Sequence, residues 1–311
     1  MTTFDLIAIG RVGVDLYPEQ SGVTLAEVRT FAKFLGGSPA NVAVACARYG
    51  HSAALITRVG DDGFGTYLRA ALEGFGVDSR YVGTDANLRT PLVFCELHPP
   101  DHFPLLFYRE PKGPDMNLVL GELDLEAIQS ARIFWTTGTG LSDEPSRTAT
   151  LGALDARGRS GITIHDLDYR AAFWKDPTHA GVWQRKALDR VTIAIGNLQE
   201  CSVAVGEGTP DEMARRILDH GVEVAVVKMG PEGVTAFTNE IQVTGSPVQV
   251  EVVNGLGAGD AFGGAVCHGL LERWNWGEII PFANAAGAYV AGQLACADAM
   301  PTEAQVRGLL K

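Results

Sequence analysis

The chain of 311 residues divides into short apolar runs and longer amphipathic stretches. Phe4–Gly10 is a short apolar run ending in glycine, the pattern of a buried parallel strand. Residues 13–35 mix β-formers with polar residues around Pro18 and Gly22, which predicts an antiparallel excursion from the main sheet. Gly36-Gly37-Ser38 then opens a helix, with Ser38 as N-cap and Pro39 at the first helical position. That helix runs through Arg48 and stops at Gly50. Ala53–Ile56 predicts the next strand, and Phe64–Phe75 the next helix, ended near Gly76.

Residues 81–118 break the alternation. Pro91–Leu97 and Phe103–Tyr108 predict a hairpin around the turn His98-Pro99-Pro100-Asp101. This piece can pair with the 13–35 segment in a small sheet over one end of the molecule. Alternation then resumes. Strands are predicted at Ile133–Thr136, Ile162–Asp166, Thr192–Ile195, Val224–Met229 and Val248–Val253. Helices are predicted at Glu144–Arg157, Pro210–His220, Gly257–Trp274 and Trp276–Leu294. Strand–helix alternation is the signature of a mainly parallel sheet flanked by helices. With no repeat, linker or low-complexity stretch, one α/β domain over residues 1–311 is expected, with β excursions at approximately 13–35 and 91–110.

Composition narrows the function. Lys+Arg total 25 and Asp+Glu 37, a net charge of −12, and no basic cluster stands out, so a nucleic-acid partner is not expected. No apolar run reaches the ~18 residues of a membrane span, and the first residues lack the pattern of a secretory signal. The five cysteines form no CxxC pair, which predicts reduced thiols and a cytoplasmic location. No Cys/His group has the sequence spacing of a structural zinc site.

Asn254-Gly255-Leu256-Gly257-Ala258-Gly259-Asp260 lies between a predicted strand and a long helix. Gly257, Ala258 and Gly259 leave backbone N–H groups open to a ligand, and a helix N-terminus favours anions, phosphate above all. Asp260 would repel such a ligand unless it had its own task, such as taking a proton from an attacking hydroxyl. A tight turn with Asp as a dipole partner is the structural alternative. There is no GxxxxGK[ST], no completed GxGxxG, no GxSxG and no HExxH. Gly36 and Gly37 permit close approach of a ligand to the backbone, and the side chain of Asn41 offers a donor and an acceptor suited to a polyol. Asp15 could accept hydrogen bonds from vicinal hydroxyls, or be a solvated surface acid.

The order Asp15, Gly36-Gly37-x-x-x-Asn41, Gly257-Ala258-Gly259-Asp260 resembles the PfkB (ribokinase-like) family of sugar kinases. Both signatures are present, as GGSPANVAVACARYGHSAALITRVG and NGLGAGDAFGGAV, and the likeness spans essentially the whole chain. The resemblance implies a ribokinase-like α/β fold with a small β lid over the sugar, ATP and Mg²⁺ as cofactors, and a possible homodimer paired through the lid. It implies Asp260 as the base and the backbone of Gly257, Ala258 and Gly259 as an anion hole. Asn197 and Glu200 match an NxxE motif that organises Mg²⁺ and phosphates, Glu200 acting through water. Lys228, Gly230 and Gly233 fall on the nucleotide side, and Asn284 near the base.

Asn254-Gly255-Leu256 stands where many members carry an Asp that contributes to a monovalent-cation site, so K⁺ dependence is left open. The same form resembles the 5-dehydro-2-deoxygluconokinases of inositol catabolism. Asp15-Leu16-Tyr17-Pro18, the stretch from Tyr108 to Leu118, and Asp166-Leu167-Asp168-Tyr169-Arg170 agree with that subfamily. A sugar acid requires a cation for its carboxylate, for which Arg109 is the first candidate and Lys33 the second. Arg170 is expected at the ATP phosphates or the reacting hydroxyl. A 2-keto-3-deoxygluconate kinase or fructokinase of the same family is the alternative, followed by a non-catalytic sugar- or nucleotide-binding regulator.

Overall fold

The computed structural model describes residues 3–310. The strands are β1 (Leu6–Ile9), β2 (Gly13–Pro18), β3 (Phe31–Gly36), β4 (Ala53–Gly60), β5 (Val77–Asp78), β6 (Val82–Asp85) and β7 (Leu92–Cys95). They continue as β8 (Leu105–Tyr108), β9 (Ile133–Thr137), β10 (Ile162–Asp166), β11 (Ile193–Asn197), β12 (Val224–Lys228), β13 (Val234–Phe237) and β14 (Gln242–Gly245). The helices are α1 (Ser38–Arg48), α2 (Gly63–Gly74), α3 (Leu125–Ser130), α4 (Ser146–Arg157) and α5 (Pro177–Leu188). After them come α6 (Leu198–Val205), α7 (Pro210–Leu218), α8 (Ala258–Leu271), α9 (Trp276–Ala291) and α10 (Glu303–Leu309).

The large sheet has the order β14-β13-β12-β11-β10-β9-β1-β4-β5, with β6 also paired to β4. It is parallel from β12 to β5, and β13 and β14 add an antiparallel hairpin at one edge. Its strands are apolar on both faces, as a sheet buried between two helical layers requires. Ala8, Leu55, Trp135 and Ile195 pack against α1, α8 and α9 on one face. Ile7, Ala54, Phe134 and Ala194 pack against α4, α5, α6 and α7 on the other. The small sheet has the order β3-β2-β7-β8 and joins the two excursions expected from the sequence, β2 and β7 running parallel. Among the described residues no helix is long and apolar enough to cross a membrane.

Two differences from expectation matter at the site. Val248–Val253 forms no strand; the chain there is an irregular segment, and the paired strand lies earlier, at β14. The alternation is real, but Val248, Val250 and Val252 turn towards a cavity wall beside α9 instead of a neighbouring strand. The helix α5 had no prediction; Asp176 caps it by accepting from the His179 N–H at 2.7 Å, and Pro177 starts it.

Candidate active site

Ligand sites of open α/β sheets form at the carboxyl ends of the strands, where the strand order reverses. Here β1 is followed by β4 on one side and flanked by the later β9 on the other. Arg11 follows β1, Asp166 ends β10 with Asp168 and Arg170 just beyond, Asn197 ends β11 and Lys228 ends β12. The first turn of α8 comes to the same crevice and separates two cavities. One, of about 50 Å³, is lined by Arg11, Asp15, Tyr17, Gly37, Ser38, Asn41, Arg170, Gly257, Asp260 and Cys296. The other, of about 380 Å³, is lined by Lys228, Gly230, Gly233, Ala258, Gly259 and Asn284, with the valines already named.

The turn into α8 depends on Gly257. Its φ of 79° is left-handed, and a Cβ there would sit 2.6 Å from Cys296 Sγ, so a side chain is both strained and blocked. The first N–H groups of α8 have no partner within the helix, and with the helix dipole they make an anion-binding end. Asp260 lies in this first turn, where Asn41 Nδ2 donates to its Oδ2 at 2.7 Å. Burial raises the Asp260 pKa, the hydrogen bond from Asn41 opposes that, and the charge of Asp168 adds to it.

Asp15 accepts from Tyr17 OH at 2.8 Å, and that hydroxyl also lies 2.9 Å from Cys296 Sγ. Burial pushes the Asp15 carboxyl up to about 6, against the Tyr17 hydrogen bond and the charge of Arg11. A Cβ on Gly36 would overlap the Asp15 carboxylate, so this close packing requires glycine.

Asp168 holds the cations together. Arg11 Nη2 lies 3.6 Å from its Oδ2, Arg170 Nε 3.3 Å from its Oδ1, and Thr139 Oγ1 donates to Oδ2 at 2.7 Å. Burial would raise the Asp168 carboxyl, but Arg170, Arg11 and Thr139 outweigh it and hold it below its ordinary value. Its φ of 24° is an uncommon backbone state for a residue with a side chain, a strain of the kind found at functional sites. The Nε atoms of Arg11 and Arg170 are buried without a hydrogen-bond partner.

On the nucleotide side, burial raises the Asp166 carboxyl, opposed by Lys228 and reinforced by Glu200, Asp168 and Asp260. Burial alone would lower the Lys228 ammonium, but the same four carboxylates more than offset it and raise it.

The remaining expected residues fall in several places. Asn197 and Glu200 make a reciprocal capping box at the start of α6, Asn197 Oδ1 accepting the Glu200 N–H at 2.9 Å and Glu200 Oε2 accepting the Asn197 N–H at 2.7 Å. That leaves Oε1 of a buried Glu200 outside the box. Asn284 Nδ2 donates to the Gly245 and Ser246 carbonyls, holding the turn after β14 against α9 at the cavity rim.

Arg109 and Lys33 do not line the Asp260 cavity. Arg109 is spent on an ion pair with the fully buried Asp115 at 2.7 Å and lies over the Phe173 ring. Lys33 lies 3.7 Å from the centre of the Tyr67 ring and faces a separate cavity of about 900 Å³ between the small sheet and α2. The cation in the Asp260 cavity besides Arg170 is Arg11, for which the sequence offers no motif and no role was expected. Asp166 and Asp168 lie in the segment that agrees with the subfamily but had no role of their own; a further signal they share with Arg11 is position, at or just past the carboxyl end of a parallel strand.

A carboxylate, an anion-binding helix end and buried cations between two cavities are the parts of a phosphoryl-transfer enzyme. The chain matches the model of the pfkB family of carbohydrate kinases over residues 3–303 and belongs to that family. It is similar to the 5-dehydro-2-deoxygluconokinase of Clostridium beijerinckii, 33% identical with 99% of this chain and 93% of the relative covered. The enzyme of the same name from Geobacillus kaustophilus is 32% identical over the same shares. Among solved structures, the PfkB protein from Polaromonas sp. JS666 superposes with a TM-score of 0.85 at 25% identity, covering 98% of this chain and 99% of that one. A fructokinase double mutant from Vibrio cholerae O395, in a form bound to fructose, ADP and potassium ion, gives 0.87 at 25% identity with 99% of each chain covered. The fold is thus ribokinase-like, and the chain is a carbohydrate kinase.

Proposed function

We propose that this kinase transfers the terminal phosphoryl group of ATP to the primary hydroxyl of 5-dehydro-2-deoxy-D-gluconate. The observation that carries the substrate class is the pairing of Arg11 and Arg170 with Asp260 in one cavity. The Arg11 guanidinium, held by only a long 3.6 Å ion pair to Asp168 and with its Nε lacking a hydrogen bond, suits a sugar acid better than a neutral sugar. The names of the relatives support the particular acid.

In this reading the cavity of about 50 Å³ widens as the small sheet moves aside to admit the acid, whose hydroxyls then donate to Asp15 and exchange hydrogen bonds with Asn41. Arg11 takes the role first expected of Arg109 and Lys33 and binds the carboxylate. Asp260 accepts the proton of the attacking hydroxyl. The N–H groups at Gly257, Ala258 and Gly259 receive the charge that develops on the transferred group. ATP lies along Lys228, Gly230 and Gly233 with its base towards Asn284, and Arg170 reaches across to its phosphates.

The hard oxygen donors Asp166 and Glu200 suit Mg²⁺, Glu200 through water. When bound, Mg²⁺ offsets phosphate charge. Asn254 offers K⁺ no carboxylate charge, and its side chain is held by the protein, Nδ2 donating to the Leu294 carbonyl at 2.7 Å and Oδ1 accepting the Leu256 N–H at 3.0 Å.

The small sheet, built from residues 13–35 and 91–110 of a single domain, acts as a lid over the sugar. Exposed Leu106 and Tyr108 on its edge strand β8 support pairing of two lids in a homodimer. Five free, buried cysteines support a cytoplasmic enzyme. Neither nucleic acid nor membrane is a partner in this reading. The same guanidinium also suits 2-keto-3-deoxygluconate, so that kinase is the second reading, ahead of a fructokinase. A non-catalytic regulator would have no use for Asp260. The test is ADP release with Mg-ATP across these acids and fructose, with 5-dehydro-2-deoxygluconate expected to have the highest kcat/KM.

A further inference from the structure

At the opposite end of α8 from Asp260, the fold assembles a second cluster of chemically able side chains. His268 lies two turns along α8, roughly 12 Å further down its axis. Its Nδ1 faces Nε2 of His51, from the turn between α1 and β4, at 2.8 Å. Glu272 follows one turn after His268 and shares its helix face. One ligand atom from each of His51, His268 and Glu272 can be drawn so that all lie within 4.8 Å of one another. We propose that these three residues bind a divalent transition-metal ion of the Zn²⁺ class.

Three features favour this over a plain histidine pair. Two imidazoles and a carboxylate are a donor set for Zn²⁺ and its neighbours, not for Mg²⁺ or Ca²⁺, which take oxygen. With metal–nitrogen bonds near 2.0–2.1 Å, two histidine ligands of a tetrahedral ion stand roughly 3.3 Å apart. The 2.8 Å pair reaches that by a shift of about half an ångström, and His51 sits on a half-exposed turn where such a shift is easy.

The second feature is the far nitrogen of His268. Its Nε2 is buried and has no hydrogen-bond partner, yet Glu303 Oε2 of α10 lies 3.8 Å away. A ligating histidine characteristically turns its other nitrogen to a carboxylate, which fixes the ring and its tautomer. The third feature is rigidity: Tyr49 stacks on the His268 ring at 4.7 Å, and Trp274 and Phe282 wall it in. Glu272 is exposed, which gives the ion an entry path and leaves a coordination position to water. Bound there, the metal ties the turn after α1 to the end of α8. Sequence spacing could not show this site, because its histidines are 217 positions apart.

The test is calorimetric titration of the chelator-stripped, full-length protein with Zn²⁺, in buffer containing excess Mg²⁺ to occupy oxygen-donor sites. One equivalent is expected to bind to the wild type. His51→Ala and Glu272→Gln should each weaken that binding at least tenfold, and Glu303→Gln by about 10–100-fold as an outer-sphere partner. Co²⁺ should give d–d absorption that His51→Ala abolishes. Circular dichroism establishes that each variant is folded, and turnover with Mg-ATP should be unchanged. The absence of saturable Zn²⁺ binding to the wild type would overturn the proposal. So would binding that survives both His51→Ala and Glu272→Gln, which would place the ion elsewhere on the chain.

Discussion

Arg11→Met is the substitution that most sharply separates a sugar-acid kinase from a kinase of neutral sugars. Methionine keeps an unbranched apolar stem and removes the guanidinium. Asp168 is not orphaned, since Arg170 lies 3.3 Å from it and Thr139 donates at 2.7 Å. The main structural loss is a long ion pair at 3.6 Å and a contact over the Phe173 ring at 5.6 Å, the latter worth about 0.5–1 kcal/mol. Hydrogen bonds to a charged group contribute about 1.5–3 kcal/mol. At 1.4 kcal/mol per tenfold, kcat/KM for the acid should therefore fall by about 10- to 150-fold. Fructose has no carboxylate and should lose no more than a few-fold. The assay is coupled ADP release with both sugars, alongside Arg11→Lys, which keeps a charge but not the fork and should fall in between. An equal loss on acid and fructose would refute the assignment and leave Arg11 as a support for Asp168.

Other expectations follow from the same geometry. Asp260→Asn retains a partner for Asn41 but cannot accept a proton, so kcat should drop by about 10²–10⁴ while ATP binding by calorimetry stays near wild type. Gly257→Ala forces a side chain into a left-handed position against Cys296, and should lower both Tm and kcat. Asp15 has a folded pKa of about 6, above its ordinary 3.8, so the folded state holds the extra proton between those values and this group's unfavourable contribution to stability grows as pH rises through that window. Asp15→Asn should therefore raise Tm more at pH 8 than at pH 4, while lowering kcat/KM; an equal shift at both pH values would contradict the burial argument. Replacing K⁺ with tetramethylammonium should change kcat/KM less than about twofold, since Asn254 brings no carboxylate charge to a cation and its side chain is engaged with Leu294 and Leu256.

Much of the fold was legible because parallel strands buried on both faces leave uninterrupted apolar runs, as at β1 and β12. The two excursions were legible as breaks in that rhythm, and the small sheet β3-β2-β7-β8 joins them. Val248–Val253 misled because alternation reports a one-sided apolar environment, not hydrogen-bonded pairing; here that environment is a cavity beside α9. At the site, Gly257, Asp260 and Asn41 stood out through their order along the chain with Asp15 and Gly36-Gly37; taken alone, glycines and an acid at a helix start serve equally as a turn and a dipole partner. Arg109 looked equally apt, yet its charge is absorbed by Asp115, a partner whose burial only the fold reveals. Arg11 carried no local pattern at all; it matters because β1 ends beside the crevice. His51 and His268 were unreadable for the same reason, being brought together by the packing of α1 against α8.

The most direct test of the central claim is a substrate panel: ADP release with Mg-ATP and 5-dehydro-2-deoxygluconate, 2-keto-3-deoxygluconate, fructose, ribose or adenosine. Both sugar acids should exceed the neutral acceptors in kcat/KM, with 5-dehydro-2-deoxygluconate first. Preference for fructose or ribose over both acids would contradict the account, because Arg11 would then face the substrate without a charge to bind.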